Sequence, residues 1–414
     1  MPIKWSVLLF GWILWAGVAA AQDIIPTDTS HFTTIRIDPA NTMGGNVSDV
    51  FASVNYIPLE TTPESLLGEV SQLAILNGYY LVLDYDKNAI FIFTNSGKYH
   101  AKIKGGDQRI GHFMVNKWTN QVAYSGDNYQ TITYCDLDGK VVKQDANITP
   151  EGLPALYSNS FFVGAKEVIS YFTYLNIDTT SKYYNAYYWS LLKYGNPVYA
   201  LGMPYTAAQT KIDVILANLT TMTTSGIDTA FLLAKPYEYG LYTVTPHTIR
   251  LAYQFIFPQS LSLPPDFLTN PVYNLKRIKY VDDHRDLIYS LNNYYQVGDN
   301  LLWRECSMSS NKEEYLLYNL TSGNLFAIKH ILPDALSYYL PFYETISSIF
   351  DNVGFAYCDG ASLYTSVSSL AMFKTKEENK DKNIVLPAVL QTYFNKGNAR
   401  DNPVLVQLQL KKEL

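Results

Sequence analysis

The sequence is poor in the residues that most often build disulfide frameworks and metal sites. It has three cysteines, Cys135, Cys306 and Cys358, an odd and widely scattered set from which we expect buried thiols. Its six histidines are also scattered, with no pair at metal-ligand spacing, and the HExxH, GxSxG and P-loop motifs are absent. A catalytic triad assembled from distant segments stays open, because triads are defined by geometry.

An excess of basic residues is also lacking. The formal net charge is -6 and the pI is about 5.6. A protein that neutralises a phosphate backbone needs a basic surface, so we do not expect a nucleic-acid partner.

Long hydrophobic runs are confined to the N-terminus. Lys4 precedes an apolar stretch from Trp5 to Trp15, and small residues lead up to Ala21 and Gln22. This pattern predicts a signal peptide over residues 1–21, cleaved between Ala21 and Gln22. The alternative is an uncleaved anchor, but the apolar stretch is short for a span of about 20 residues. No cysteine follows it to carry a lipid, so we expect an exported chain without a membrane span, periplasmic or associated with the outer membrane.

What the sequence has in abundance is tyrosine, 35 in all, and a repeat of short apolar runs. The stretch YYLVLDYDKNAIFIFTNSGK, residues 79–98, aligns without a gap on residues 121–140, which places Gly97 over Gly139. A period of about 40–45 residues of strand, turn and strand is typical of a propeller blade. The glycines suit tight turns that need a positive φ.

Further strand pairs extend this pattern over residues 160–195, 230–257, 286–328 and 352–373. The prediction is therefore an all-β fold, a six-bladed β-propeller with four-stranded antiparallel blades. Residues 31–38 or 403–410 would complete the last blade, so that the terminal strands close the ring. The apolar runs are nearly unbroken, which indicates strands buried on both faces. A two-layer β-sandwich is the rival, but it gives no reason for the repeat.

The predicted organisation is a signal peptide (1–21), an N-terminal segment with a closing strand (22–55) and the propeller (56–414). Within the propeller, residues 374–383 are a charge run, for which we expect a solvated loop. Residues 282–286, DDHRD, are predicted to be a polar loop rather than an acid–base site. Residues 386–397 predict a short helix, with Pro387 at its first turn and Gly397 just past its end.

Three segments resemble the exported six-bladed β-propeller proteins of Bacteroidota, relatives of the NHL and TolB-like propellers. They are YIPLETTPESLLGEVSQLAI (56–75), LVLDYDKNAIFIFTNSGK (81–98) and the tail from SSLAMFKTKEEN to DNPVLVQLQLK. The resemblance covers about half of the chain and implies the fold and an envelope location. Most members of this group have no assigned activity.

The candidate ligand-binding residues are Asp84, Asp127, Trp189 and Tyr294. Asp84 begins an acidic turn that departs from a calcium loop at its sixth and twelfth positions, Ala89 and Asn95. It either hydrogen bonds its own turn or lines a channel mouth with Asp127. Trp189 is a candidate platform for sugar stacking, and Tyr294 lines either a channel or a blade edge. No cofactor is predicted, calcium being the one alternative.

The sequence favours a non-enzymatic binding or scaffold protein that captures a glycan or a protein in the cell envelope. The alternative is a hydrolase or lyase acting on a carbohydrate or lactone at the central channel. Converging acids or histidines in the channel would favour the enzyme, whereas aromatic and amide side chains would favour the binding protein.

Overall fold

The two apolar runs at residues 79–94 form the middle strands of a four-stranded antiparallel sheet. The computed structural model describes residues 23–126, 130–147, 160–171, 187–193, 198–204, 222–227, 229–309, 315–344 and 354–414. Within these residues the strands form six sheets. The sheets are numbered 1 to 6 in the chain order of their innermost strands, which are β6, β10, β14, β18, β22 and β26. The prediction of an all-β propeller arrangement of antiparallel sheets is confirmed.

The first three sheets, each given from its innermost strand outward, are built from consecutive strands. Sheet 1 contains β6 (Gln72–Leu76), β7 (Tyr79–Asp84), β8 (Ala89–Thr94) and β9 (Tyr99–Lys104). Sheet 2 contains β10 (Ile110–Asn116), β11 (Gln121–Gly126), β12 (Thr131–Cys135) and β13 (Val141–Ala146). Sheet 3 contains β14 (Ser160–Phe162), β15 (Glu167–Tyr171), β16 (Tyr187–Lys193) and β17 (Val198–Pro204).

The other three sheets are also built from consecutive strands, except that the fourth strand of sheet 6 comes from the N-terminal part of the chain. Sheet 4 contains β18 (Thr223–Thr224), β19 (Phe231–Ala234), β20 (Gly240–Val244) and β21 (Ile249–Ile256). Sheet 5 contains β22 (Ser290–Val297), β23 (Asn300–Cys306), β24 (Tyr315–Asn319) and β25 (Leu325–Leu332). Sheet 6 contains β26 (Phe355–Cys358), β27 (Ser362–Val367) and β28 (Val404–Leu410), and its fourth strand is β5 (Phe51–Pro58).

The N-terminal residues 23–58, which we call the outer belt, run along the outer edges of four successive sheets. In the belt, β1 (Asp23–Ile25) pairs with β17, and both β2 (Thr27–Asp28) and β3 (Thr33–Arg36) pair with β21. Next, β4 (Met43–Asn46) pairs with β25, and all of these pairings are parallel. Finally, β5 pairs antiparallel with β28. The predicted strand at 31–38 therefore lies on sheet 4, and the strand at 403–410 lies in sheet 6.

The faces of the sheets pack against one another, which explains why the strands lack alternation. Hydrophobic clusters lie between sheets 1 and 2, 3 and 4, 4 and 5, 5 and 6, and 6 and 1. Between sheets 2 and 3, Asn116 Nδ2 donates to the Ala165 carbonyl oxygen at 3.0 Å. Every residue of β8 from Ala89 to Phe93 is buried. Fully burying a side chain such as Phe91 contributes about 1.5–3 kcal/mol.

The repeated glycines have the conformation expected of them. Gly97 and Gly139 both have φ of +79°. A Cβ on Gly97 would lie 2.2 Å from the Pro58 carbonyl oxygen, and one on Gly139 would lie 2.7 Å from the Lys102 carbonyl oxygen. Gly97 therefore packs against β5, the outermost strand of sheet 6, and Gly139 packs against β9, the outermost strand of sheet 1. The two glycines that match in the sequence repeat thus make equivalent contacts.

Four α-helices are described: α1 (Val47–Val50), α2 (Arg277–Asp283), α3 (Ser369–Glu378) and α4 (Ala388–Lys396). The prediction of a helix within 386–397 is confirmed by α4. The loop predictions for 374–383 and 282–286 are wrong at their first residues, which belong to α3 and α2. Tertiary packing explains both errors. Met372 of α3 and Val281 of α2 are fully buried, and packing of this kind overrides local polarity.

The three cysteines are free and buried, as expected from the sequence. Burial raises the pKa values of Cys135 and Cys358, in each case to about 11. Both thiols therefore stay protonated and neutral at physiological pH.

Candidate functional site in the central cavity

A cavity of about 420 Å³ lies where the innermost strands of the sheets converge. Its wall takes residues from β6, β10, β14, β22 and β26, and from β18 with the turn that follows it. Every sheet therefore contributes its first strand, and the cavity occupies the centre of the propeller. Its volume lies within the range of roughly 300–1,000 Å³ that is typical of small-molecule pockets.

Apolar and aromatic side chains dominate this wall. The aliphatic and thioether members include Leu73, Ile75, Met114 and Met222, and the aromatic members include Trp118, Phe161, Phe231, Phe355 and Tyr357. Such a wall excludes water and gives an apolar ligand a large contact area.

Two amide side chains in the wall hold neighbouring sheets together. The Gln72 amide bridges sheets 1 and 2, because its Oε1 accepts from Phe113 N at 3.0 Å and its Nε2 donates to Phe113 O at 2.7 Å. Asn293 lies at an irregularity of β22 with φ of +48°, and its Nδ2 donates to Phe355 O of sheet 6 at 2.8 Å. These hydrogen bonds fix the positions of the innermost strands.

A direct contact between sheets 4 and 6 borders the cavity. Thr224 Oγ1 donates to the Cys358 carbonyl oxygen at 3.1 Å. In the adjacent turns, Gly226 and Gly360 have φ of +77° and +88°. A Cβ built on Gly226 would lie 2.2 Å from Gly360 Cα, so the two backbones touch without room for a side chain.

The ionisable groups of the wall are few among the described residues: His112, Lys117, Asp359 and the Cys358 thiol, with the tyrosine hydroxyls. Burial lowers the pKa of His112 to about 4, so its imidazole is neutral at pH 7. Partial burial also lowers the pKa of Lys117. The Asp359 carboxylate hydrogen bonds within its own hairpin, where its Oδ1 accepts from Ser362 N at 2.7 Å and its Oδ2 accepts from the Tyr364 hydroxyl at 2.8 Å.

The structure places the predicted residue Asp84 in a turn. It is fully buried at the end of β7, where its Oδ1 accepts from Lys87 N at 2.9 Å and its Oδ2 accepts from Gly68 N at 2.6 Å. It is not among the described residues of the cavity wall. Asp127 lies outside the described residues, as do Ala21 and Gln22. The Trp189 backbone pairs with Tyr171 in sheet 3, but its side chain also lies outside the described part.

Tyr294 lies next to the wall without being part of it. Its side chain is 1% exposed and packs in the cluster between sheets 4 and 5. Its hydroxyl accepts from Ala234 N at 2.7 Å, while the Ala234 carbonyl oxygen accepts from the Tyr171 hydroxyl at 2.8 Å. Tyr294 therefore links the framework of three sheets, and its neighbours Asn293 and Tyr295 line the cavity.

No group of three or more His, Cys, Asp or Glu side chains in the described residues is arranged to hold a metal ion. Among the helices of the same residues, none combines the length and apolar character needed to cross a membrane.

The fold and site define a β-propeller with an apolar central cavity. The chain belongs to the family described as a domain of unknown function, DUF4934, which matches residues 32–409. No protein with a curated description matches it.

Two solved structures are similar to the chain. One is a protein of Bacteroides fragilis NCTC 9343 described as exported, with 17% identity and a TM-score of 0.65. The alignment covers 92% of this chain and all of that one, which supports the fold. The other is a DUF4221 family member from Bacteroides vulgatus ATCC 8482, with 11% identity, coverage of 87% and 97%, and a TM-score of 0.48.

Sequence reasoning did not find Gln72, His112 or Phe231 as wall residues. Each lies in or beside an innermost strand, and only the ring arrangement brings these strands together. The start of each sequence repeat could have indicated them, since the first strand of a propeller blade lines the central channel. A single histidine in such a strand matches no known motif.

Proposed function

We propose that this protein is an exported, non-enzymatic binding or scaffold protein of the cell envelope, with its ligand site in the central cavity. The observation that carries the proposal is the composition of the wall. Rings and amides converge there, whereas His112 and Asp359 are its only described imidazole and carboxylate. A wall of this kind holds a ligand, while acid–base catalysis needs matched proton donors and acceptors.

The proposed architecture is a six-bladed ring in which β5 and β28 join the two ends of the chain. It is supported by the six sheets and by the antiparallel pairing of β5 with β28. The packing of each sheet on the next gives further support. Rigid strands on all sides would hold the cavity open before the ligand arrives, which reduces the ordering cost of binding.

The proposed location in the periplasm or at the outer membrane is supported by the signal-peptide pattern of residues 1–21. The Bacteroides fragilis protein described as exported, which shares the fold, is consistent with it. A glycan and a protein partner are the ligand classes that the sequence suggested. Of these, only a short glycan would fit a cavity of 420 Å³.

The test is thermal unfolding of the chain Gln22–Leu414 with short oligosaccharides, divalent cations and apolar small molecules. A ligand present at 100 times its Kd should stabilise the native state by about 2.7 kcal/mol. Ile227 lies in the wall and is 66% exposed, so Ile227→Trp should narrow the opening of the cavity and reduce the stabilisation by the ligand. Val385→Trp is the matched control, because Val385 is 86% exposed and outside the wall.

If a ligand raises the unfolding temperature equally in both variants, or if no ligand class raises it, the cavity is not the binding site. Chromatography of the ligand after incubation tests the non-enzymatic part. Conversion of the ligand that Ile227→Trp suppresses would favour a hydrolase or lyase instead.

A further inference from the structure

The hydrogen-bonding capacity of the cavity wall is largely used within the protein. Both functional atoms of the Gln72 amide are bound to the Phe113 backbone. Asn293 Nδ2 is bound to Phe355 O, and Asp359 is bound to the backbone and a hydroxyl of its own hairpin. A ligand that recruits these groups would compete with contacts that they already make within the protein.

This arrangement disfavours a sugar inside the cavity. Each hydroxyl of a sugar loses its hydrogen bonds to water on entry, and an unpaired polar group costs about 1–3 kcal/mol. Besides Lys117, His112 and several hydroxyl groups, the remaining wall is mostly rings, aliphatic side chains and the thioethers of Met114 and Met222. Thioethers are polarizable, adapt to irregular shapes and make favourable contacts with aromatic rings.

Two polar groups of the wall, the His112 ring and the Tyr357 hydroxyl, differ from the others. Among the described residues, the His112 ring takes part in no hydrogen bond, and burial keeps it neutral. A neutral imidazole has one donor and one acceptor nitrogen, so it can bind an amine, hydroxyl or carbonyl group of a ligand. It lies in β10, two residues before Met114, which also lines the cavity.

We infer that the central cavity binds an uncharged, mainly apolar, ring-containing small molecule, with His112 as hydrogen-bond partner of its polar group. This inference rests on the proposed function and adds the ligand class. The rim contains Trp118, 41% exposed, and Ile227, so an apolar ligand meets apolar side chains as it enters. Lys117 and Asp359 are the charged side chains among the described wall residues, and Asp359 is bound within its own turn, so a charged ligand would leave water for a wall that is mostly apolar.

The test uses the neutral fluorophore N-phenyl-1-naphthylamine, whose emission rises in an apolar environment, titrated into the chain Gln22–Leu414. We expect saturable binding at one site and competition by 1-phenylnaphthalene. Ile227→Glu places a charge at the rim and should weaken fluorophore binding about tenfold, which corresponds to about 1.4 kcal/mol. Val385→Glu, the same change at an exposed site outside the wall, should leave binding unchanged.

His112→Leu separates the polar contact from the apolar one. It should weaken binding of the amine-containing fluorophore about 2- to 10-fold, the usual effect of one hydrogen bond. It should leave binding of 1-phenylnaphthalene, which has no polar group, unchanged. Circular dichroism of each variant verifies that the sheets remain folded.

Equal effects of Ile227→Glu and Val385→Glu, or no saturable binding of the fluorophore, would overturn the inferred ligand class. If an oligosaccharide then stabilises the protein and Ile227→Glu removes that effect, the proposed binding function stands and only the ligand class is wrong. If neither sugars nor apolar compounds bind, both proposals fail.

Discussion

Replacement of Gly226 by alanine tests the contact between sheets 4 and 6 that borders the cavity. The change adds one methyl group at a residue with φ of +77°. Placing a residue with a Cβ in this left-handed region costs roughly 1–2 kcal/mol. The new Cβ would also lie 2.2 Å from Gly360 Cα and 2.9 Å from Gly360 N, so a backbone segment must move. Overpacking of this kind costs a further 1–3 kcal/mol or so.

Gly78→Ala provides a matched control for the conformational part of this loss. Gly78 has φ of +76°, and nothing lies within 4 Å of the position of its Cβ. We expect Gly78→Ala to lower the free energy of unfolding by about 1–2 kcal/mol and Gly226→Ala by about 2–5 kcal/mol. The difference isolates the contact, because both changes have similar effects on the unfolded chain.

The assay is equilibrium urea unfolding followed by tryptophan fluorescence and by circular dichroism, with coincident transitions required. Equal losses for the two variants would refute a tight glycine–glycine contact. Gly360→Ala gives an internal check, since its Cβ would lie 2.8 Å from Gly226 Cα. Because both substitutions displace the same pair of turns, the double variant should lose less stability than the sum of the single losses.

Three further predictions concern single side chains. The folded-state pKa of His112, about 4 against the ordinary 6.5, means that only the unfolded chain takes up this proton as pH falls from 6.5 to 4. The wild type should therefore lose up to about 3 kcal/mol more stability than His112→Asn between pH 7 and pH 4. The difference is smaller to the extent that water reaches the ring. Parallel curves of unfolding free energy against pH for the two proteins would contradict this. Asp84→Ala should destabilise the protein by about 1–3 kcal/mol in urea, because the backbone amides of Gly68 and Lys87 lose their carboxylate acceptor. It should leave fluorophore affinity unchanged, and a loss of affinity would restore Asp84 as a ligand-binding residue. Tyr294→Phe leaves Ala234 N without its acceptor, so we expect a loss of about 1–3 kcal/mol in urea, and a loss below 0.5 kcal/mol or so would show that this hydrogen bond is dispensable.

The fold was predictable where local patterns and tertiary structure agree. The apolar runs of β7 and β8 and the turn glycines Gly97 and Gly139 are explained by one geometry, so the propeller arrangement followed from them. The course of the outer belt was not predictable in the same way. Its strands β1 to β4 are two to four residues long, and they pair with partners far away in sequence. Nothing local identifies those partners.

The candidate site was less predictable, for a physical reason. The sequence singled out Tyr294 as lining either a channel or a blade edge, but it did not decide which way the side chain points. The irregularity in β22 at Asn293 breaks the simple alternation of a strand, so Tyr294 enters the core while Asn293 and Tyr295 reach the cavity. A one-residue irregularity of this kind reverses which side chains face the site.

The outer belt also has a consequence for the order of folding during synthesis. Its strands are made first, but their partners are β17, β21, β25 and β28, which follow in that same order along the chain. Each belt strand must wait for a later segment, and β5 must wait for residues 404–410. At about 5–20 residues per second, this delay is on the order of tens of seconds. Each belt strand therefore becomes fixed only after its partner has been made, from β1 first to β5 last.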